Sequence, residues 1–168
     1  MDFEEIIRKR TAVRKYSDKK LEKEKLIKIL EAGRLAPTAK NNQPFKIYVI
    51  ETDEGLSKID EASPCRYNAQ TVLLVCGDKN EAFHKEDYST YEMDCSIVTT
   101  HMMLEATNLE VDNTWVEMFD QDMIRKLFEL KENLTPVCLL MLGYKADDAK
   151  ENAAHNIRKN IEDLVIYK

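Results

Sequence analysis

Two stretches of this 168-residue chain carry side chains that could do chemistry. From Arg8 to Lys20, the cations Arg8, Lys9, Arg10, Arg14, Lys15, Lys19 and Lys20 face a single acid, Asp18, in a protein of net charge -6. Such a stretch is a solvated basic face, a nucleic-acid patch, or an anion site set into an otherwise acidic molecule. Further on, Ala36-Pro37-Thr38-Ala39-Lys40-Asn41-Asn42-Gln43-Pro44 gathers hydroxyl and amide groups between two prolines. Pro37 pushes Ala36 out of the α region and Pro44 favours an extended Gln43, so the loop is expected to be stiff at both ends. Thr38, Asn41 and Gln43 could then serve as fixed donors and acceptors for a flat polar ligand. Equally, Asn and Thr simply suit a helix-to-strand turn.

Other chemistries are excluded or weakened by what is missing. The four glycines, Gly33, Gly55, Gly77 and Gly143, each stand alone. Neither a G-x-G-x-x-G dinucleotide turn nor a G-x-x-x-x-G-K-[ST] phosphate loop can therefore form, and any phosphate must be held by side-chain cations. Cys65, Cys76, Cys95 and Cys138 include no C-x-x-C pair, and His84, His101 and His155 are scattered, so no zinc spacing arises and no metal is expected. His101, on a long helix, could be proposed as an acid, but a histidine hydrogen-bonded within the fold is the simpler reading. Nothing near Cys95 in sequence would depress its pKa. Trp115 and the methionines read as core.

These groups must be positioned by a domain of ordinary size. A hydrophobic share of 43% with 33% charged residues fits one soluble globular unit. No apolar run approaches the roughly 20 residues that span a bilayer. MDFEEIIRKR has no apolar core of a secretory signal, which reads as cytoplasmic. The net charge argues against general nucleic-acid binding.

Apolar spacing predicts a short helix over Phe3 to Arg10 and a longer one from Leu21 to Leu35, with Ser17 or Asp18 as a candidate cap. Phe45 to Ile50 reads as a strand, and Thr52 as the cap of a helix from about Glu54 to Ala62. Thr71 to Cys76, continuously apolar, reads as a buried central strand. Asn80 to Ser89 reads as loop with a possible helical turn. Thr90 to Asn108 is the longest helix, apolar over much of its circumference, and reads as the central buried helix. Thr114 to Val116 is a short strand, Asp120 caps a further helix, and Val137 to Leu142 is a second buried strand after Pro136. The alternation suggests a layered α/β or α+β domain. Beyond a polar linker from Ala146, the apolar segment Ile157 to Tyr167 must bury itself in its own core or in a partner's.

Several of these stretches together resemble one family, the FMN-dependent nitroreductases. Arg10-Thr11-Ala12-Val13-Arg14-Lys15-Tyr16 resembles its R-x-S-x-[RK]-x-[FY] stretch, and Ala36 to Phe45 its A-P-S-x-x-N-x-Q-P-[WF] loop. Thr114 to Asp120 is similar to a segment usually ending in Gly-x-Phe or Glu-Gly-Phe. Pro136 to Tyr144 is similar to the late strand ending in Gly-Tyr. Arg158 and Lys159 fall where the family carries basic residues. The match runs in order over nearly the whole chain.

The resemblance implies an α+β fold, a three-layer α/β/α arrangement with a central mixed, mostly antiparallel sheet. Residues 1–145 would form a single FMN-binding domain, and 146–168 a linker and C-terminal arm reaching the partner subunit. FMN would be bound tightly but non-covalently at a homodimer interface, with neither nucleic acid nor membrane as partner. Arg10, Arg14 and Arg158 or Lys159 would hold its phosphate, with Thr11 and Ala12 also against the cofactor. Pro37, Thr38, Ala39, Asn41 and, less directly, Gln43 would reach the flavin from the other subunit. Val116, Glu117 and Met118 would lie beside the ring, with a Glu117 backbone N–H facing N5. The implied activity is NADH- or NADPH-dependent reduction of nitroaromatics, quinones or similar flat acceptors, by a ping-pong hydride relay through flavin N5 that needs no catalytic side chain. A dehalogenase or flavin-degrading branch, or a non-catalytic FMN-storage protein, are the alternatives. Ala12 in place of serine removes a hydroxyl contact or passes it to Thr11. Met118 in place of a small residue would narrow the substrate slot.

Overall fold

Every residue from Thr71 to Asp78 is buried, so this strand has to lie inside a sheet that is covered on both faces. The computed structural model describes residues 1–168 and shows how the cover is built. In chain order the elements are α1 (Phe3–Lys9), α2 (Lys23–Arg34), a 3-10 turn (Ala39–Asn41), β1 (Phe45–Ile50), α3 (Asp53–Ala62) and β2 (Thr71–Asp78). Next come β3 (His84–Lys85), β4 (Tyr88–Ser89), α4 (Tyr91–Asn108), β5 (Asp112–Val116), α5 (Gln121–Leu127) and β6 (Leu134–Gly143). Two 3-10 turns, Ala153–Asn156 and Ile161–Asp163, carry the tail.

The main sheet has the order β1-β2-β6-β5 with every neighbour antiparallel. Beyond β5, Ala12 bridges Asn113 in the parallel sense and the Val13 N–H donates to Asn113 O, which makes the sheet mixed. Side-chain alternation divides the core in two. Leu73 and Val75 of β2, with Cys138, Leu140 and Leu142 of β6, meet Leu26 and Ile29 of α2 and Cys95, Val98 and Met102 of α4. Val72, Leu74, Leu139 and Met141 face Leu56 and Ile59 of α3 and Ile124 of α5. The result is three layers, α2 and α4 over one face and α3 and α5 over the other.

The predicted caps are present. The Thr52 hydroxyl accepts from the Gly55 N–H at 3.1 Å, and Asp120 accepts from the Met123 N–H at 2.9 Å. Ser17 and Asp18 do not cap α2. Ser17 Oγ donates to Tyr144 O and Asp18 accepts from Asn68 Nδ2, while α2 begins at Glu22 without a side-chain cap. Pro136 is tolerated inside β6 because the register slips there. Val75 pairs with Cys138 and Cys76 with Pro136, so Val137 is the extra residue of a bulge.

Two expectations need correction. Asn80 to Ser89 holds a two-residue hairpin, β3 and β4, turned at Glu86 with φ 55°; it is too short and polar to show a period. Helix α4 is buried along one side only, through Cys95, Val98, Thr99, Met102 and Ala106, whereas Met93 and Ile97 face solvent. The tail finds no place in its own core: Ile157, Ile161, Leu164, Ile166 and Tyr167 are all exposed. No helix is long and apolar enough to cross a membrane.

Among the four glycines the closest approach is at Gly77, where β2 meets the start of α4. A Cβ on Gly77 would stand 2.4 Å from Tyr91 Cδ2 and 2.9 Å from Tyr91 Cβ. Gly77→Ala should therefore cost about 1–3 kcal/mol of stability through overpacking, read as a lowered midpoint in urea denaturation.

Candidate functional site

Arg10 is the C-cap residue of α1, and its backbone N–H bonds to Ile6 O, so the helix end fixes where its side chain begins. Its side chain is half-buried, and Arg158 from the tail lies within electrostatic reach of it. Burial first, and Arg158 second, lower the Arg10 pKa from its ordinary value. The surrounding cations have acids of their own: Arg8 pairs with Glu4, Lys9 with Glu110, Lys15 with Asp148 and Lys19 with Glu22. Arg10, Arg14, Arg158 and Lys159 take part in no ion pair. The tail is held nearby by the His155 ring, 3.3 Å from Arg8 O. Two forked donors gathered without a counter-charge match an anion with several acceptor oxygens, above all a phosphate.

Past Arg10, Ala12 makes a single parallel bridge to Asn113 of β5, and Tyr16 then bridges Lys145 beyond the end of β6. Between these two bridges Arg14 reaches the Tyr67 hydroxyl, which also meets Cys65. Cys65 Sγ is 3.9 Å from Met118 Sδ, and Ser63 Oγ donates to Met118 O at 2.7 Å. Val116 is buried, whereas Glu117 and Met118 emerge, Met118 with 67% of its surface exposed. The Glu117 carboxylate is occupied by Trp115 Nε1 at 3.0 Å. Thr11 lines a cavity of about 270 Å³ with Lys9, Thr107 and Asn113. Cys65 and Tyr67 escaped the sequence reading. Their only signal was the helix break at Ser63-Pro64, and nothing announces the positive φ of Tyr67, 55°.

The polar loop is strained. Lys40, Asn41 and Gln43 have φ of 53°, 55° and 53°, a region that costs non-glycine residues about 1–2 kcal/mol each. Gln43 is thus not the extended residue that Pro44 alone would favour. Local bonds hold it: the Gln43 N–H donates to Thr38 Oγ1 at 3.0 Å, and Gln43 O accepts from the Phe45 N–H at 2.8 Å. The Ala39 N–H donates to Asp94 of α4 at 2.8 Å, and Asn42 Nδ2 to Glu81 O at 3.0 Å. Pro37, Asn41 and Gln43 remain exposed at the surface, with Thr38 and Ala39 half-covered.

Within one chain this loop and the Arg10–Arg14 stretch are far apart. The loop leads into β1, one edge of the sheet, while Arg10–Arg14 flanks β5, the opposite edge. Three strand spacings put those edges about 14 Å apart. The loop is tied to the first turns of α4 at Asp94, whereas Lys9 pairs with Glu110 just past its last. That adds about 20 Å along the helix.

Other candidate chemistry is absent. Burial raises the thiols of Cys76 and Cys138 to about 12 and pushes Cys95 up as well. The His101 ring meets Ile97 O at 2.9 Å on its own helix. No group of His, Cys, Asp or Glu side chains is placed to hold a metal.

The profile of the Nitroreductase family matches residues 7–66 and 62–144. A protein of Archaeoglobus fulgidus named "Putative NADH dehydrogenase/NAD(P)H nitroreductase" is 31% identical over 150 residues, 85% of each chain. A solved nitroreductase family protein of Clostridium difficile is 39% identical, with a TM-score of 0.94 over 100% of this chain and 99% of the other. A nitroreductase structure from Exiguobacterium sibiricum, in complex with FMN, shares the fold at a TM-score of 0.87 with 22% identity, covering 100% and 98%. The order of motifs, the layered sheet and these likenesses agree, and the chain belongs to the nitroreductase family.

Proposed function

We propose that this protein is an FMN-dependent oxidoreductase that uses NADH or NADPH to reduce nitroaromatics, quinones or similar flat acceptors, and that it works as a homodimer. The observation that carries this reading is the pair of guanidiniums, Arg10 and Arg158, gathered without an acid partner. The donor set fits FMN, whose phosphate dianion would take both forks at once, and Lys159 is close in sequence to add a third cation. The stretch from Arg10 to Arg14 would lay the cofactor along the edge of β5, with its ring end toward Val116, Glu117 and Met118. Bound there, FMN supplies the capacity to accept and return a hydride. The likeness to an FMN complex from Exiguobacterium sibiricum and the name of the Archaeoglobus fulgidus relative support this choice of cofactor and reductant.

The distance between the loop and the arginines supports the dimer. Pro37, Thr38, Ala39, Asn41 and Gln43 cannot reach a ligand on the β5 edge of their own chain, but could reach one held by a second copy. The exposed Met93 and Ile97 on α4, and the bare apolar tail, are surfaces such a copy would cover.

Affinity for FMN should fall by about 2–3 kcal/mol in Arg10→Ala and in Arg158→Gln, since each loses a charged hydrogen-bonding partner; fluorescence titration of the apoprotein measures it. Deleting residues from Ala146 onward should abolish both dimerisation and flavin binding, and a flavin-bound monomer in light scattering would contradict the composite site.

With no fingerprint to grip an adenosine half, NAD(P)H and acceptor would use the same place beside Met118 in turn. Initial rates over a grid of NADPH and nitroaromatic concentrations should then give parallel double-reciprocal lines. Intersecting lines would show both bound together. Flavin that stays oxidised under NADH and NADPH would point to a storage protein.

A further inference from the structure

We propose that Asp94, which reaches no ligand itself, is the positioning residue that pre-shapes the Pro37–Gln43 loop for flavin, an inference that rests on the flavin reading above. Asp94 is 2% exposed, in the first turns of α4. One carboxylate oxygen accepts the Ala39 N–H at 2.8 Å and the other accepts the Thr90 hydroxyl at 2.8 Å. Its own N–H bonds to Thr90 O, so the carboxylate is held from both sides of the helix start. The negative charge also suits the N-terminal end of an 18-residue helix.

The loop needs such an anchor. Lys40, Asn41 and Gln43 all sit at positive φ, and conformations of this kind persist only where the surroundings over-determine them. The bonds between Thr38, Asn41 and Gln43 are internal to the loop and fix its shape, not its place. Asn42 Nδ2 to Glu81 O and Lys40 over the Phe83 ring tie it to a surface segment. Asp94 to Ala39 joins it by a charge-assisted bond to a helix of the core, across 55 residues of sequence. With that bond gone the loop has to be ordered by the ligand, and binding is weakened by the cost of ordering. An asparagine at this position keeps an acceptor for the Ala39 N–H and can donate to the Thr90 hydroxyl, so it should restore the anchor.

The test uses the full-length protein as Asp94→Ala, Asp94→Asn, Ala39→Pro and Asn41→Gly. Two quantities are read: the FMN dissociation constant, and the rate of tryptic cleavage after Lys40 in the flavin-free protein. Asp94→Ala should weaken FMN about tenfold or more and speed cleavage after Lys40, while Asp94→Asn stays within about threefold of the parent on both. Should Asp94→Ala fail to fold, Ala39→Pro, which deletes the donor and leaves the Asp94–Thr90 bond, must weaken FMN comparably. Unchanged cleavage and affinity in Asp94→Ala overturn the inference, and so does an Asp94→Asn as damaged as Asp94→Ala. If Asn41→Gly weakens FMN and loss of the anchor does not, the role of Asp94 fails alone. If Asn41→Gly leaves FMN affinity unchanged, the loop is no flavin contact and the site reading falls with it.

Discussion

The backbone of β2 has no water to bond to at any of its eight residues, so its polar groups must be satisfied by strands on both sides and its side chains by helices above and below. That condition sets the rest of the architecture. β1 and β6 become its neighbours, α2 and α4 cover one face, and α3 and α5 cover the other. The elements proposed to meet the ligand are then left to the margins. The Arg10–Arg14 stretch lies along β5, and the loop before β1 lies at the opposite edge, each outside the apolar interior and each anchored to it.

Charge is arranged with the same economy. A protein of net charge -6 gives most of its N-terminal cations an acidic neighbour and leaves Arg10, within electrostatic reach of Arg158, without one. Half-burial of Arg10 makes the repulsion larger than it would be in open water. An anion taken up there would remove that repulsion, so the proposed phosphate site would need no glycine cradle. Arg158 belongs to the segment whose Ile157, Ile161 and Leu164 lie exposed, so the tail brings a cation toward Arg10 without burying these apolar residues in its own core.

Much of the fold was legible in local signals. The strand Phe45–Ile50, the buried run from Thr71, and the caps Thr52 and Asp120 appear where residue types and spacing put them. Patterns that depend on two elements at once were not. The bulge that admits Pro136 arises from pairing with β2. The left-handed φ of Gln43, against the preference set by Pro44, comes from bonds to Thr38 and Phe45. The bare side of α4 was hidden because Met93 and Ile97 look like core to any count of apolar residues.

The sequence by itself determined the layered fold class and the family, through periodic burial and ordered motifs, and it ruled out a glycine-built phosphate site. It also named the cations that could replace one. Only the tertiary structure decided which cations remain unpaired, because an ion pair such as Lys9 with Glu110 joins residues about a hundred positions apart. It alone brought Ser63, Cys65 and Tyr67 against Met118, by packing the segment after α3 beside the end of β5. And it alone set the loop and the arginines at opposite edges of the sheet, since edge position follows from strand order, which no local stretch of sequence encodes.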